Sequence, residues 1–122
     1  MSKKPHKKLE AWKQGIALTV RTYRLTGRLP DEEKFGLISQ MRRAAVSIVS
    51  NIAEGAASNT KKVFIRFLHT AQGSLAELDT QITICEKLGY LADTDFRTLY
   101  EEVERESKLI TGLIKHLKRS SS

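Results

Sequence analysis

The chain has 122 residues, 40% of them hydrophobic and 29% charged, which suits one domain with a single core and excludes a disordered chain. Its one cysteine, Cys85, excludes an intrachain disulfide and a thiolate metal cluster, which fits a reducing cytoplasm. The net charge of +7 points to anionic partners, while no apolar run of about 18 residues is present to span a bilayer. The opening "MSKKPHKKLEAWKQGIALTV" is basic at first but never becomes the apolar run of a signal peptide. A cytoplasmic protein with no membrane partner is expected.

Residues 1–8 form a basic tail, residues 9–119 a helical domain, and residues 120–122 a short polar tail. The first helix is marked by Leu9, Trp12, Ile16, Val20 and Tyr23, whose spacing lines one face and predicts the core side. Gly27 stops it, and Pro30 followed by Asp31, Glu32 and Glu33 starts the next, because acids favour a helix N-terminus. The second helix puts Ile38, Met41, Ala45, Ile48 and Ile52 on one stripe, and Gly55 weakens it. "SNT" at 58–60 supplies capping side chains for a third helix, which buries Phe64, Leu68, Ala71, Leu75, Leu78, Ile82 and Cys85. That helix ends at Gly89, with Tyr90 completing a glycine C-terminal motif. "ADTD" at 92–95 caps a fourth helix carrying Phe96, Leu99, Val103, Ile110, Leu113 and Leu117.

No strand-like alternation or internal repeat interrupts this pattern. Short connections make successive helices antiparallel neighbours, so the expected fold is an all-α, up-down-up-down four-helix bundle. That topology sorts the charges. Lys3, Lys4, Lys7 and Lys8 precede the first acid, Glu10, and Lys108, Lys115, Lys118 and Arg119 follow the last, Glu106. The chain between is nearly neutral. One end of the bundle is expected to collect the terminal lysines with Lys61, Lys62, Arg66, Lys115, Lys118 and Arg119. The other end holds Asp31, Glu32, Glu33, Asp93 and Asp95.

The second helix carries an anomaly. From Ala44 to Thr60 its one charged residue is Glu54, where a solvated face should be rich in Lys and Glu. Gln40, Arg43, Ser47, Ser50 and Glu54 point away from its core stripe, and small residues such as Ala44, Ser47 and Gly55 would admit a neighbouring helix. The expected explanation is self-association through Gln40, Arg43, Ala44, Ser47, Asn51, Glu54 and Gly55, since most soluble oligomers are homo-oligomers. Leu18 and Leu25, off the first helix's stripe, point the same way. Arg42 and Arg43 then bound this contact rather than forming a nucleic-acid motif.

Catalytic patterns are missing from the sequence. His6, His69 and His116 lack metal-site spacing, and there is no phosphate loop or nucleophile elbow. Cys85 falls on an apolar stripe, where it acts as a small hydrophobe. Glu54, Glu77, Gln81 and Asn51 suit hydrogen bonding better than acid–base work. No cofactor is expected. The basic end suits weak, salt-dependent and sequence-independent contact with RNA or DNA phosphates. Trp12, Tyr23 and the phenylalanines lie on core stripes, so no aromatic stacking platform is expected.

The runs "LEAWKQGIAL", "FGLISQMRRAAVSIVSNIAEG", "FIRFLHTAQGSLAELDTQI" and "LGYL" resemble the four-helix bundle family also called the 23S rRNA intervening-sequence protein family. "QMRRAAVSI", "NIAEG" and "GSLAEL" carry the likeness, in order and at the family's spacing, from about Leu9 to the end of the fourth helix. The resemblance implies a ring-like homopentamer without enzymatic activity and transfers no ligand-binding residues. The family's name comes from genes inside insertions in bacterial 23S rRNA genes. A distant relative, the accessory protein of diversity-generating retroelements, binds a reverse transcriptase and nucleic acid. The expected function is thus a bacterial, non-enzymatic oligomeric bundle that contacts RNA or DNA, with a protein-interaction adaptor as the alternative.

Overall fold

A computed structural model describes His6 and residues 9–120. Four helices dominate it: α1 (Glu10–Thr26), α2 (Leu37–Ala57), α3 (Lys61–Lys87) and α4 (Asp93–Arg119). At a rise of about 1.5 Å per residue, α3 and α4 are each roughly 40 Å long. Each helix packs on its chain neighbours, and α4 closes the bundle against α1. Side-chain contacts fix the alternation. The Thr19 hydroxyl reaches the Ala45 carbonyl at 3.3 Å, Arg42 Nε donates to Thr26 Oγ1 at 2.9 Å, and Ser47 Oγ lies 2.8 Å from Ser74 Oγ. Gln72 Nε2 reaches Thr111 Oγ1 at 3.3 Å, and Arg21 pairs with Glu102 across α1 and α4. The up-down-up-down bundle expected from the short connections is the fold.

The core stripes of α2, α3 and α4 match the spacing. Met41, Ala45, Ile48 and Ile52 meet Leu68, Ala71, Leu75, Leu78, Ile82 and Cys85, and Phe96, Leu99, Val103, Ile110 and Leu117 complete the interior. Helix α3 starts as expected, with Thr60 Oγ1 accepting from the Val63 amide at 3.1 Å. It ends with Gly89 at φ 72°, where the Gly89 amide reaches Glu86 O and the Tyr90 amide reaches Cys85 O. Those two bonds are the paired contacts of a glycine-terminated helix. Helix α4 begins after Ala92 without a side-chain cap, Asp93 and Asp95 supplying only favourable charge to its first turn.

Several expectations are corrected. The acids after Pro30 form a separate 3-10 turn, Asp31–Glu33, and α2 begins only at Leu37. Glu33 Oε1 accepts from the Leu37 amide at 3.2 Å, and its Oε2 accepts from the Tyr90 hydroxyl at 2.8 Å. The carboxylate thus caps α2 and ties it to the α3–α4 turn, and it raises the pKa of the Tyr90 hydroxyl that bonds it.

The largest correction concerns α1. Its buried face is Ala11, Gly15, Leu18, Thr22, Leu25 and Thr26, while Ile16, Val20 and Tyr23 face outward. Leu18 and Leu25, which the spacing sets off the stripe, are core residues. The threonines can be buried because Thr22 Oγ1 donates to Leu18 O at 2.8 Å and Thr26 Oγ1 to Thr22 O at 2.7 Å. Gly15 then lets α1 approach α2, since a Cβ there would lie 2.6 Å from Val49 Cγ1.

Gly55 does the same between α2 and α3 rather than weakening α2, which runs on to Ala57. A Cβ at Gly55 would lie 2.8 Å from Phe64 Cδ1, 2.9 Å from Phe67 Cβ and 3.2 Å from Phe64 O. The last two atoms are backbone or fixed to it, so the helices themselves would have to part. Gly55→Ala is expected to destabilise the chain by about 1–3 kcal/mol through overpacking, despite alanine's better helix propensity. Urea unfolding measures this, and a stabilised variant would contradict the close approach.

Candidate nucleic-acid interface

Two segments without a single acid, 55–76 and 107–120, meet at one end of the bundle. Their junction is direct: Lys61 Nζ donates to the Ser120 carbonyl at 2.5 Å and lies 2.9 Å from Ser120 Oγ. Lys62 and Arg66 on the first turns of α3 are exposed, as are Lys115, Lys118 and Arg119 on the last turns of α4. These six cations of the expected basic pole are brought together. Lys3, Lys4, Lys7 and Lys8 lie outside the described residues. His6 is described and sets its ring edge-on to Trp12, with centroids 5.0 Å apart.

The opposite pole holds Asp31, Glu32, Glu33, Asp93 and Asp95, with Arg28 bonded to Asp95 at 3.2 Å. Phe35 projects there at 89% exposure, with Lys34 over its ring. Tyr23 is exposed rather than core, and Arg42 stacks on it at 4.6 Å. Arg42 also donates to Tyr23 O at 3.1 Å, satisfying a carbonyl at the end of α1 where a cation is favoured. Its role is to fasten α1 to α2.

The self-association residues expected on α2 divide into two groups. Gln40, Arg43 and Glu54 are exposed, and Ser47 and Asn51 are half-buried. Asn51 Nδ2 donates to Ser47 O at 2.8 Å, and Ser47 is bonded to Ser74. Ala44 is only 3% exposed, within the chain's own core, and Gly55 is buried against Phe64 and Phe67 of α3. Part of the charge-poor surface of α2 is therefore covered by α3, and the need for an outside partner there is smaller than the charge count implies.

The reactive groups do not converge. Cys85 is buried, its Sγ 3.6 Å from Met41 Sδ, and burial pushes its pKa up to about 11. His69 Nδ1 lies 2.9 Å from Gln72 Oε1 on the surface. No group of three or more His, Cys, Asp or Glu side chains among the described residues could hold a metal ion. A groove of about 840 Å³ runs along α4 past Phe96, Tyr100, Glu104 and Lys108, and its lining alternates in charge.

One titratable group escapes sequence reasoning. Glu106 is fully buried, with neither carboxyl oxygen hydrogen-bonded among the described residues, and burial pushes its pKa up to about 8. Its Oε2 rests where a Gly15 Cβ would be, 2.7 Å from that position. The signal was present: a stripe running Leu99, Val103, Ile110 needs a residue at 106 or 107 to be continuous.

The fold and its surface define a class: an all-helical bundle with a basic pole and an acidic pole. No helix of the described residues is long and apolar enough to cross a membrane. The chain belongs to the 23S rRNA-intervening sequence protein family, whose pattern matches residues 7–112. It is also similar in fold to a solved Bacteroides thetaiotaomicron protein of unknown function from the S23 ribosomal protein family. The TM-score is 0.80 at 23% identity, over 86% of this chain and 98% of that one. No functionally curated protein matches the chain.

Proposed function

We propose that the chain is a non-enzymatic, cytoplasmic bacterial scaffold that self-associates into a ring, a homopentamer as the family resemblance implies. Side-by-side subunits gather their basic poles on one rim, which binds RNA or DNA weakly through phosphates. The Lys61–Ser120 contact carries this reading, because it joins two acid-free segments into one surface.

Filter binding of a structured RNA at two salt concentrations tests it. Affinity should fall steeply with salt, and Lys61→Glu, Lys62→Glu and Arg66→Glu together should abolish binding while helicity and mass stay unchanged. Each neutralised phosphate contributes about 0.7–0.9 to the log–log salt slope, so each of these changes made singly should flatten it by about that amount. Salt-independent binding would contradict the phosphate contact. A second reading, an adaptor for another protein, is favoured by Phe35 at 89% exposure on the acidic pole, at the other end of the bundle from the basic pole. Binding to a protein partner that Phe35→Ser abolishes, with no RNA retained at low salt, would replace the first reading with this one.

A further inference from the structure

Helix α1 is apolar on two opposite sides. Leu18, Thr22 and Leu25 face the core, while Ile16, Val20 and Tyr23 form an outward stripe that is 36%, 42% and 43% exposed. An apolar helix face is normally packed against another element. Lys13 and Arg24 flank this stripe, roughly 16 Å apart along the axis at the helical rise.

A matching face lies on the same chain, across α2 and α3. Gly73 sits exposed in the middle of α3, and nothing lies within 4 Å of where its Cβ would be. The bundle itself therefore gives no reason for a residue that weakens a helix. Glu54 and Glu77, both exposed, bracket Gly73. The Ser47–Ser74 contact sets the register of α2 on α3, which separates the two acids by roughly 15 Å along the axis. The side chains of Arg24, Glu54 and Glu77 make no hydrogen bond or ion pair among the described residues. Lys13 has only an exposed contact to Glu10 at 3.5 Å, which contributes little and exchanges readily.

The two faces agree in height as well as in charge. The Thr19–Ala45 contact ties the register of α1 to that of α2. With that register, Glu54 and Glu77 lie about 5 Å along the axis from Lys13 and Arg24 respectively, both displaced toward the basic pole. Ile16 falls at the level of Gly73. Two copies standing side by side with their basic poles at the same end would thus bring each cation to an acid and an apolar stripe to an open glycine.

We propose that the outward stripe of α1 in one copy packs on the α2–α3 face around Gly73 of the next, with Lys13 on Glu54 and Arg24 on Glu77. The two faces differ, so the contact is heterologous and propagates around a ring instead of ending at a dimer. This rests on the proposed self-association and names the surfaces that produce it.

Light scattering tests the contact. The wild-type mass is expected to be a multiple of 13.8 kDa. Val20→Arg should reduce it to one chain with the helical circular dichroism retained, since Val20 is 42% exposed and lies outside the buried core cluster. Arg24→Glu alone and Glu77→Arg alone should each weaken assembly, and the two together should restore it. A monomeric wild type would overturn the self-association and this contact with it. An assembled wild type whose mass Val20→Arg leaves unchanged would overturn this contact alone. Failure of the double exchange to restore mass would overturn the pairing of Arg24 with Glu77.

Discussion

Glu106→Gln is expected to leave stability nearly unchanged at pH 4 and to raise it by about 3 kcal/mol at pH 7 and about 5 kcal/mol at pH 9. The sign follows from where the proton sits. Burial lifts the folded-state pKa of Glu106 to about 8 from the ordinary value of 4.5. Below pH 4.5 both folded and unfolded chains carry the proton, and no charge is buried. As pH rises toward 8 the unfolded chain releases the proton and the folded chain keeps it. Stability therefore falls by about 1.4 kcal/mol per pH unit through that window and levels off above it. Glutamine keeps the shape and cannot ionise. The measurement is urea unfolding of both proteins at the three pH values, and parallel curves would show that the carboxyl finds compensation inside the bundle. An apolar Glu106→Leu should gain at pH 4 as well, because it also removes the unbonded polar atoms beside Gly15.

The three longest helices were readable because each has one apolar stripe and a polar remainder. On α3 the positions Leu68, Ala71, Leu75, Leu78, Ile82 and Cys85 leave no competing face, and Thr60 and Gly89 mark its ends by hydrogen-bonding chemistry that local sequence controls. Helix α1 defeats the same procedure. Its largest apolar residues, Ile16, Val20 and Tyr23, lie on the face that the rest of the chain leaves open, and its buried face is partly Gly15, Thr22 and Thr26. Burial of a threonine depends on a hydroxyl bonding back to its own helix, and that of a glycine on a neighbour's approach. Neither shows in a periodicity of large side chains.

The candidate site divides along a similar line. The basic pole required only the alternation of helices, which short connections dictate, and Lys61 and Ser120 meet where that alternation places them. The contact face on α2 required knowing how much of it α3 already covers. A charge count registers that residues 44–60 hold one charge, Glu54, but cannot tell a covering helix of the same chain from one of another. Packing inside the bundle answers for Ala44 and Gly55, and leaves Gln40, Arg43 and Glu54 facing outward.

Leu18→Ala is expected to destabilise the chain by about 2–5 kcal/mol, through lost burial and the cavity left behind. Leu18 is fully buried, at the height where α1 meets α2 through Thr19 and Ala45. Ile16→Ala, two residues away on the outward stripe, should cost about 0.5 kcal/mol or less in a dilute single chain. The comparison holds helix propensity nearly constant, since both changes place alanine within the same turns of α1. Denaturant midpoints read the difference, with unchanged slopes showing that the unfolded states are alike. Protein concentration separates the two faces further. A residue packed inside its own chain loses the same stability at every concentration, whereas one that meets another copy loses more as assembly is favoured. If Ile16→Ala instead costs several kcal/mol at high dilution and Leu18→Ala little, α1 is rotated by half a turn from the arrangement described, and the stripe of large side chains is the core after all.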